Sequence, residues 1–126
     1  MSNQLELAPE KIAMYRAAAK RRRQQEESVL VRRQEKAWQV ARQAAALLRE
    51  QFGVSRVVVF GSLVRQHGFT RWSDVDIAAW GIAPEDTFRA IGAVMDLVTE
   101  IPVNLVDVNT VHPSLLTVIE RDGVEL

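Results

Sequence analysis

The chain has 126 residues, of which 48% are hydrophobic and 25% charged, a composition that fits one globular domain and excludes a disordered protein. It has no cysteine, which excludes disulfides and thiolate metal sites and makes the reducing cytoplasm the expected location. Its 16 basic and 16 acidic side chains balance, but the first third is basic and the rest acidic. The polar start, Met1 to Glu10, is unlike a signal peptide, and no apolar run is long enough to span a bilayer, so no membrane association is expected.

The first predicted element is a long helix from about Pro9 to Phe52, because no internal glycine or proline interrupts a run of helix-forming residues. Pro9 suits the first turn of a helix, and Gly53 suits the position just past the end. In the second half, apolar side chains recur at helical spacing and predict a stripe that packs on the core. The stripe consists of Leu30, Trp38, Ala41, Ala45, Leu48 and Phe52.

The stretch Lys20–Ser28 is polar on every side, and a helix of that kind is not buried. Either this stretch reaches a partner or a second subunit, or the helix breaks there into two. The basic run Lys20–Arg23 has no interleaved aromatic side chains to stack on bases, which argues against nucleic acid and favours a protein partner, including a second copy of the chain.

After this helix, short apolar strands alternate with helices, which predicts an α/β fold with a small mixed sheet flanked by helices. The predicted strands are Arg56–Phe60, Asp74–Trp80 and Ile101–Val108, and the predicted helices are Leu63–Gln66, Glu85–Thr99 and Pro113–Arg121. The apolar face of the second of these helices consists of Phe88, Ile91, Met95 and Val98. His67 and His112 fall in loops, do not have the spacing of metal ligands, and are expected at the surface.

Two aspartates at the start of the second predicted strand are candidate metal ligands. Asp74 and Asp76 flank one residue, so their carboxylates point to the same side of a strand with α-carbons about 6.5 to 7 Å apart. A cation relieves their repulsion, and Mg²⁺ takes one or two carboxylates together with substrate phosphates. Upstream, Gly61 allows a phosphate to approach the backbone, and the Ser62 hydroxyl can hydrogen-bond it. Each motif alone also occurs in ordinary turns.

Together, the pair Gly61-Ser62, an eleven-residue spacer and Asp74-x-Asp76 resemble the signature of the polymerase-beta-like nucleotidyltransferase superfamily. The small size of the chain and its tail Ile101–Asp107 are similar to the minimal branch of that superfamily, the MNT proteins. The resemblance implies a minimal nucleotidyltransferase domain at residues 51–126, preceded by a helical extension at residues 1–50.

By this resemblance, Gly61 and Ser62 would bind the triphosphate of ATP, and Arg65 would either join them in nucleotide binding by contacting a phosphate or support the loop. Asp74 and Asp76 would be catalytic residues that coordinate Mg²⁺. The sequence departs from the family pattern in three ways. The spacer is one residue longer, Gln66 replaces a common glycine, and Asn104 occupies the third catalytic position, where the family has an acidic residue.

Asn104 can offer a carbonyl oxygen to a metal, but it adds no negative charge and cannot accept a proton. The nearest carboxylate, Asp107, lies on the opposite side of a regular strand and is expected to be a solvent-exposed residue at its end. The resemblance further implies transfer of AMP from ATP to a HEPN-type toxin, with this chain as the antitoxin. The alternative, favoured by Asn104, is a catalytically weak or inactive protein that neutralises its partner by binding alone.

Overall fold

A computed structural model describes residues 8–65, 67–97 and 100–126. The chain divides into two units, Met1–Arg32 and Arg33–Leu126. The second unit contains the sheet, and residues 33–52 of the first helix belong to this same unit. The domain boundary expected from the family resemblance, between residues 50 and 51, stays a prediction.

The first helix, α1, extends from Pro9 to Phe52 without a break, so the polar stretch does not divide it into two. Gly53 follows with a φ of +64°, a left-handed conformation that glycine adopts without steric cost, as its predicted position past the helix end requires. Residues 20–28 are exposed throughout, as predicted. No helix in the described part of the chain is both long and apolar enough to cross a membrane.

Within the second unit, α1 contributes mainly small side chains to the core. Its buried residues are Ala37, Val40, Ala41, Ala44, Ala45 and Leu48. The predicted stripe is therefore correct for Ala41, Ala45 and Leu48, whereas Trp38 and Phe52 are only half-buried. Alanine side chains allow close contact between this face of the helix and the core.

Four strands form one mixed sheet. Their bounds are Arg56–Phe60 (β1), Val75–Trp80 (β2), Val103–Asp107 (β3) and Val124–Glu125 (β4), and they lie in the order β3-β2-β1-β4. β1 is antiparallel to both β2 and β4, whereas β2 and β3 are parallel. The three predicted strands are present, and β4 is too short to be recognised from a hydrophobic pattern.

Two further helices, α2 (Thr87–Asp96) and α3 (Pro113–Asp122), follow β2 and β3. α2 packs against β3 and buries Ala90 and Val94. The predicted apolar face of this helix is wrong, because Phe88 and Met95 are 88% and 62% exposed. Two residues along a helix are about 200° apart around its axis, so a helix that buries Ala90 exposes Phe88. The last residue of that predicted face, Val98, lies outside the described residues.

The face of the sheet that α3 covers carries the candidate site. α3 packs against β1, where Val58, Ala78 and Ile119 are buried together. Side chains alternate along a strand, so Asp76 lies on the same face as Ala78. Asn104 is paired with Asp76 across the sheet and therefore lies on this face as well.

Candidate functional site

Asp76 and Asn104 lie side by side near the start of two parallel strands. They are direct partners across β2 and β3, and Phe60 at the end of β1 pairs with Asp76 on the other side. Asn104 donates a hydrogen bond from Nδ2 to Oδ1 of Asp76, with 3.1 Å between the atoms. Asp74 immediately precedes β2 and lies two residues before Asp76. All three residues predicted to be catalytic therefore lie at one end of the sheet.

Gly61 begins a turn that lies directly against the Asp76 carboxylate. It follows β1 with a φ of +79°, which favours glycine. A Cβ atom added to Gly61 would stand 2.5 Å from Oδ2 of Asp76, closer than non-bonded atoms approach. Glycine is thus required both by the backbone conformation and by the contact. The Asp76 carboxylate lies between the Gly61 backbone at one oxygen and Asn104 at the other.

The turn that Gly61 begins is one turn of 3₁₀ helix, Gly61–Val64, so the helix predicted for Leu63–Gln66 is wrong. The chain becomes extended at Arg65, whose amide donates a 3.3 Å hydrogen bond to the carbonyl of Ser62. Gly68 lies against both of these residues, so the following loop folds back over the turn where a helix would have continued. Ser62 is half-buried and Arg65 is exposed.

A cavity of about 170 Å³ opens beside Gly61 and Asp76, next to α3. Its lining residues are Phe60, Gly61, Val64, Arg65, Asp76, Leu115, Val118 and Asp122. Pockets that enclose whole small-molecule ligands measure roughly 300 to 1,000 Å³, so this cavity is too small to enclose a whole nucleotide. Two depressions of about 510 Å³ along α1 are formed by residues between Arg21 and Arg32 of that one helix, which cannot enclose a ligand.

Asp74 and Asp76 supply the carboxylates of the candidate cation site. In the described ranges, no group of three or more His, Asp or Glu side chains comes close enough to hold a metal. Mg²⁺ needs fewer, because it usually takes one or two carboxylates, substrate phosphates and water. The Asp76 carboxylate beside the Gly61 backbone, with Asp74 two residues before it, therefore fits a cation whose coordination a bound phosphate would complete. Asn104 adds no charge to this set, and its amino group already faces Asp76.

Asp107 is a buried structural residue, so the expectation of a solvent-exposed strand end is wrong. It is 2% exposed, and its carboxylate accepts hydrogen bonds from the Thr87 hydroxyl at 2.8 Å and the Asn109 amide at 3.0 Å. It lies on the opposite face of the sheet from Asn104, as strand alternation predicted. Asp107 therefore links the start of α2 to the turn after β3 and cannot replace Asn104.

Three residues of α3 that line the cavity were missed by the sequence analysis: Leu115, Val118 and Asp122. In the sequence, only their spacing of three and four residues on a short helix indicates that they share one side of it. Arg121 donates two hydrogen bonds to Asp122, at 3.0 and 2.9 Å, and these hold the pKa of the Asp122 carboxyl below its usual value. Asp122 therefore brings a negative charge to the cavity.

His67 and His112 are both exposed, as predicted. His112 has a structural role at the start of α3, where its Nδ1 accepts a 3.1 Å hydrogen bond from the Ser114 amide. This contact satisfies one of the free amides of the helix terminus. Neither histidine lines the cavity beside Asp76.

No protein-family model matches the chain, and no curated protein matches it. Among solved structures, two crystal structures of mutants of the toxin-antitoxin MntA-HpeT are similar to it. One is 20% identical, with 68% of this chain and 70% of that chain covered and a TM-score of 0.54. The other is 21% identical, with coverages of 68% and 69% and the same TM-score. At this identity the likeness shows the fold alone, and it confirms the predicted α/β fold, a small mixed sheet flanked by helices with a long N-terminal helix.

Proposed function

We propose that this chain is a magnesium-dependent nucleotidyltransferase that moves AMP from ATP to a hydroxyl of a partner protein. The observation that carries the proposal is the position of Asp76 between the Gly61 backbone and Asn104, with Asp74 two residues earlier in the chain. A backbone that a phosphate can approach, placed beside paired carboxylates, suits phosphoryl chemistry, because catalysis there consists mainly of positioning and charge neutralisation.

In the proposed reaction, the acceptor hydroxyl oxygen forms a bond to the α-phosphorus of ATP. The bond from that phosphorus to the oxygen that bridges to the β-phosphate breaks, and pyrophosphate leaves with its electron pair. Bound Mg²⁺ would neutralise the charge that develops on the phosphates. The hydroxyl proton passes to a carboxylate, Asp74 or Asp76, because the Asn104 carboxamide cannot accept it.

The remaining side chains have roles that their positions support. The Ser62 hydroxyl and the amides of the 3₁₀ turn would bind triphosphate oxygens. Arg65, exposed at the cavity, would contact a phosphate. Asn104 would be a positioning residue, because its hydrogen bond to Oδ1 fixes the orientation of the Asp76 carboxylate.

The proposed acceptor is a HEPN-type toxin, with this chain as its antitoxin. The two similar structures are both of a toxin-antitoxin, which supports a toxin partner. In one of them, two aspartates separated by a single residue have been changed to glutamate, and this spacing is the same as that of Asp74 and Asp76. The exposed, basic first half of α1 is the proposed surface for a protein partner or a second copy of the chain.

The second candidate function is neutralisation of the partner by binding alone. It is favoured by Asn104, which leaves two carboxylates at the site and offers Asp76 a neutral donor where a third acidic residue would help to hold a cation. In this case the fold and nucleotide binding would be retained, while the transfer rate would be negligible.

The test is incubation of the chain with labelled ATP, Mg²⁺ and the protein encoded by the neighbouring reading frame, followed by intact-mass measurement of both proteins. We expect the partner to gain the mass of one AMP with the wild type and to stay unmodified with Asp76→Asn. Neutralisation of the partner by the wild type without any gain in mass would support binding alone. Equal transfer by Asp76→Asn would contradict the proposed site.

A further inference from the structure

We propose that the cavity beside Asp76 is the nucleobase subsite, and that Leu115 and Val118 of α3 are the residues that contact the base. This subsite rests on the proposed nucleotide binding and adds to it the location of the nucleoside. α3 would then contribute the part of the nucleotide affinity that comes from contact with the base, and the phosphates would bind elsewhere in the site.

The first observation is an apolar surface on α3 that the protein leaves partly uncovered. Leu115 and Val118 are 37% and 38% exposed although both are large and apolar. They are three residues apart and so are neighbours on one side of the helix. The adjacent residue, Ile119, is fully buried against β1 and β2, so the buried face of α3 continues into the exposed wall of the cavity.

The second observation is that the cavity has apolar walls on more than one element. Phe60 and Val64, from β1 and the 3₁₀ turn, line it together with Leu115 and Val118. A base presents flat apolar surfaces to its surroundings whatever its identity, so apolar walls suit it. The volume of about 170 Å³ is too small for a whole nucleotide and suits a base.

The third observation concerns the charged side chains in the lining of the cavity, which are Arg65, Asp76 and Asp122. Asp122 contributes a carboxylate to the lining, and Arg121 holds it through two hydrogen bonds. Arg65 and Asp76, which are proposed to hold a phosphate and the cation, line the same cavity, so its apolar residues adjoin the phosphate site and disfavour a charged group among them. With the phosphates at Ser62 and the cation at Asp74 and Asp76, the uncharged end of the ligand is the one that fits.

The experiment compares two ligands that share a triphosphate but differ in the nucleoside. Wild-type protein is titrated calorimetrically, in the presence of Mg²⁺, with a non-hydrolysable ATP analogue and with inorganic tripolyphosphate. We expect the analogue to bind more tightly. Leu115→Ala and Val118→Ala should each weaken the analogue roughly five- to tenfold and leave tripolyphosphate unchanged, because each removes apolar contact with the base alone.

The matched control is Met95→Ala, which truncates an exposed apolar side chain on α2 and should change neither affinity. Thermal denaturation of each variant establishes that it is folded. Equal affinity of the wild type for the two ligands would overturn the subsite while leaving phosphate binding in place. An unchanged preference in both α3 variants would also overturn it. If neither ligand bound, the proposed nucleotide binding would fail, and the subsite with it.

Discussion

The substitution Gly61→Ala is expected to weaken ligand binding as well as to destabilise the fold. At a φ of +79°, a left-handed conformation costs an alanine about 1 to 2 kcal/mol relative to glycine. The new methyl group would stand 2.5 Å from Oδ2 of Asp76, so the carboxylate must rotate away. It would then give up the hydrogen bond from Asn104, worth about 0.5 to 1.5 kcal/mol. Alanine recovers about 0.4 to 1 kcal/mol by restricting the unfolded chain.

These contributions give a loss of about 0.5 to 3 kcal/mol in the free energy of unfolding. Gly53→Ala is the matched control, because Gly53 also has a positive φ of +64° but has nothing within 4 Å of the added Cβ. It should lose about 1 kcal/mol and keep full affinity. Gly61→Ala should lose about tenfold or more in affinity for Mg²⁺ with an ATP analogue, a factor equivalent to about 1.4 kcal/mol.

Urea unfolding measures the stability of both glycine variants, and calorimetric titration measures their affinity. If Gly61→Ala bound the ligand as tightly as Gly53→Ala, the contact between Gly61 and Asp76 would have no role in binding. The proposed arrangement of the site would then be refuted, whatever the loss of stability.

Three other substitutions separate the roles of the acidic residues. Asp76→Asn should weaken Mn²⁺ binding about tenfold or more, because it removes one of the two carboxylates; an unchanged affinity in a titration would contradict the metal assignment. Thermal stability should stay nearly unchanged, since the substitution also relieves the repulsion between the two carboxylates. Asn104→Asp adds a negative charge at similar side-chain volume, so it should strengthen Mn²⁺ binding and raise the single-turnover rate of transfer to the purified partner. If neither the affinity nor the rate changed, neutralisation of the partner by binding alone would be favoured. Asp107→Ala should lower the free energy of unfolding by about 2 to 4 kcal/mol in urea, because it removes the buried carboxylate that accepts two partly buried hydrogen bonds. The exposed Asp96→Ala should change it little.

Sequence was sufficient where the signal is local. The 44 residues of α1 lack an internal glycine or proline, and the β-branched run in β1 is flanked by turn residues, so both elements were predicted with bounds close to those observed. The pairing of Asp76 with Asn104, 28 residues apart, was accessible only because the motif implied matching strand positions.

The sequence is insufficient where packing against a neighbouring element determines which side chains are buried. α2 has two candidate apolar faces, and its packing on β3 selects the one with Ala90 and Val94. The burial of Asp107 depends on Thr87, which the crossover between the parallel strands brings next to it. The cavity wall on α3 likewise depends on how that helix lies over β1, which no spacing within the helix reveals.

β3 is an edge strand, and two hydrogen bonds at its ends show which of its backbone groups face β2. The Val75 amide donates to the carbonyl of Pro102, and the Val108 amide donates to the carbonyl of Ala79. Backbone groups in a strand alternate in direction, so the even-numbered residues of β3 face β2. The odd-numbered residues therefore direct their amide and carbonyl groups away from the sheet.

The outward carbonyl of Asp107 is already occupied, because it accepts hydrogen bonds from both the amide and the hydroxyl of Thr110. Of the outward-facing residues of β3, Val103 and Leu105 are therefore the ones whose carbonyls do not accept a hydrogen bond from Thr110. Unprotected sheet edges are where chains add strands to one another and aggregate, and very short edges are one way in which proteins prevent it. The turn at Thr110 thus shortens the edge available for intermolecular strand pairing, while the Asp107 carboxylate holds α2 in place.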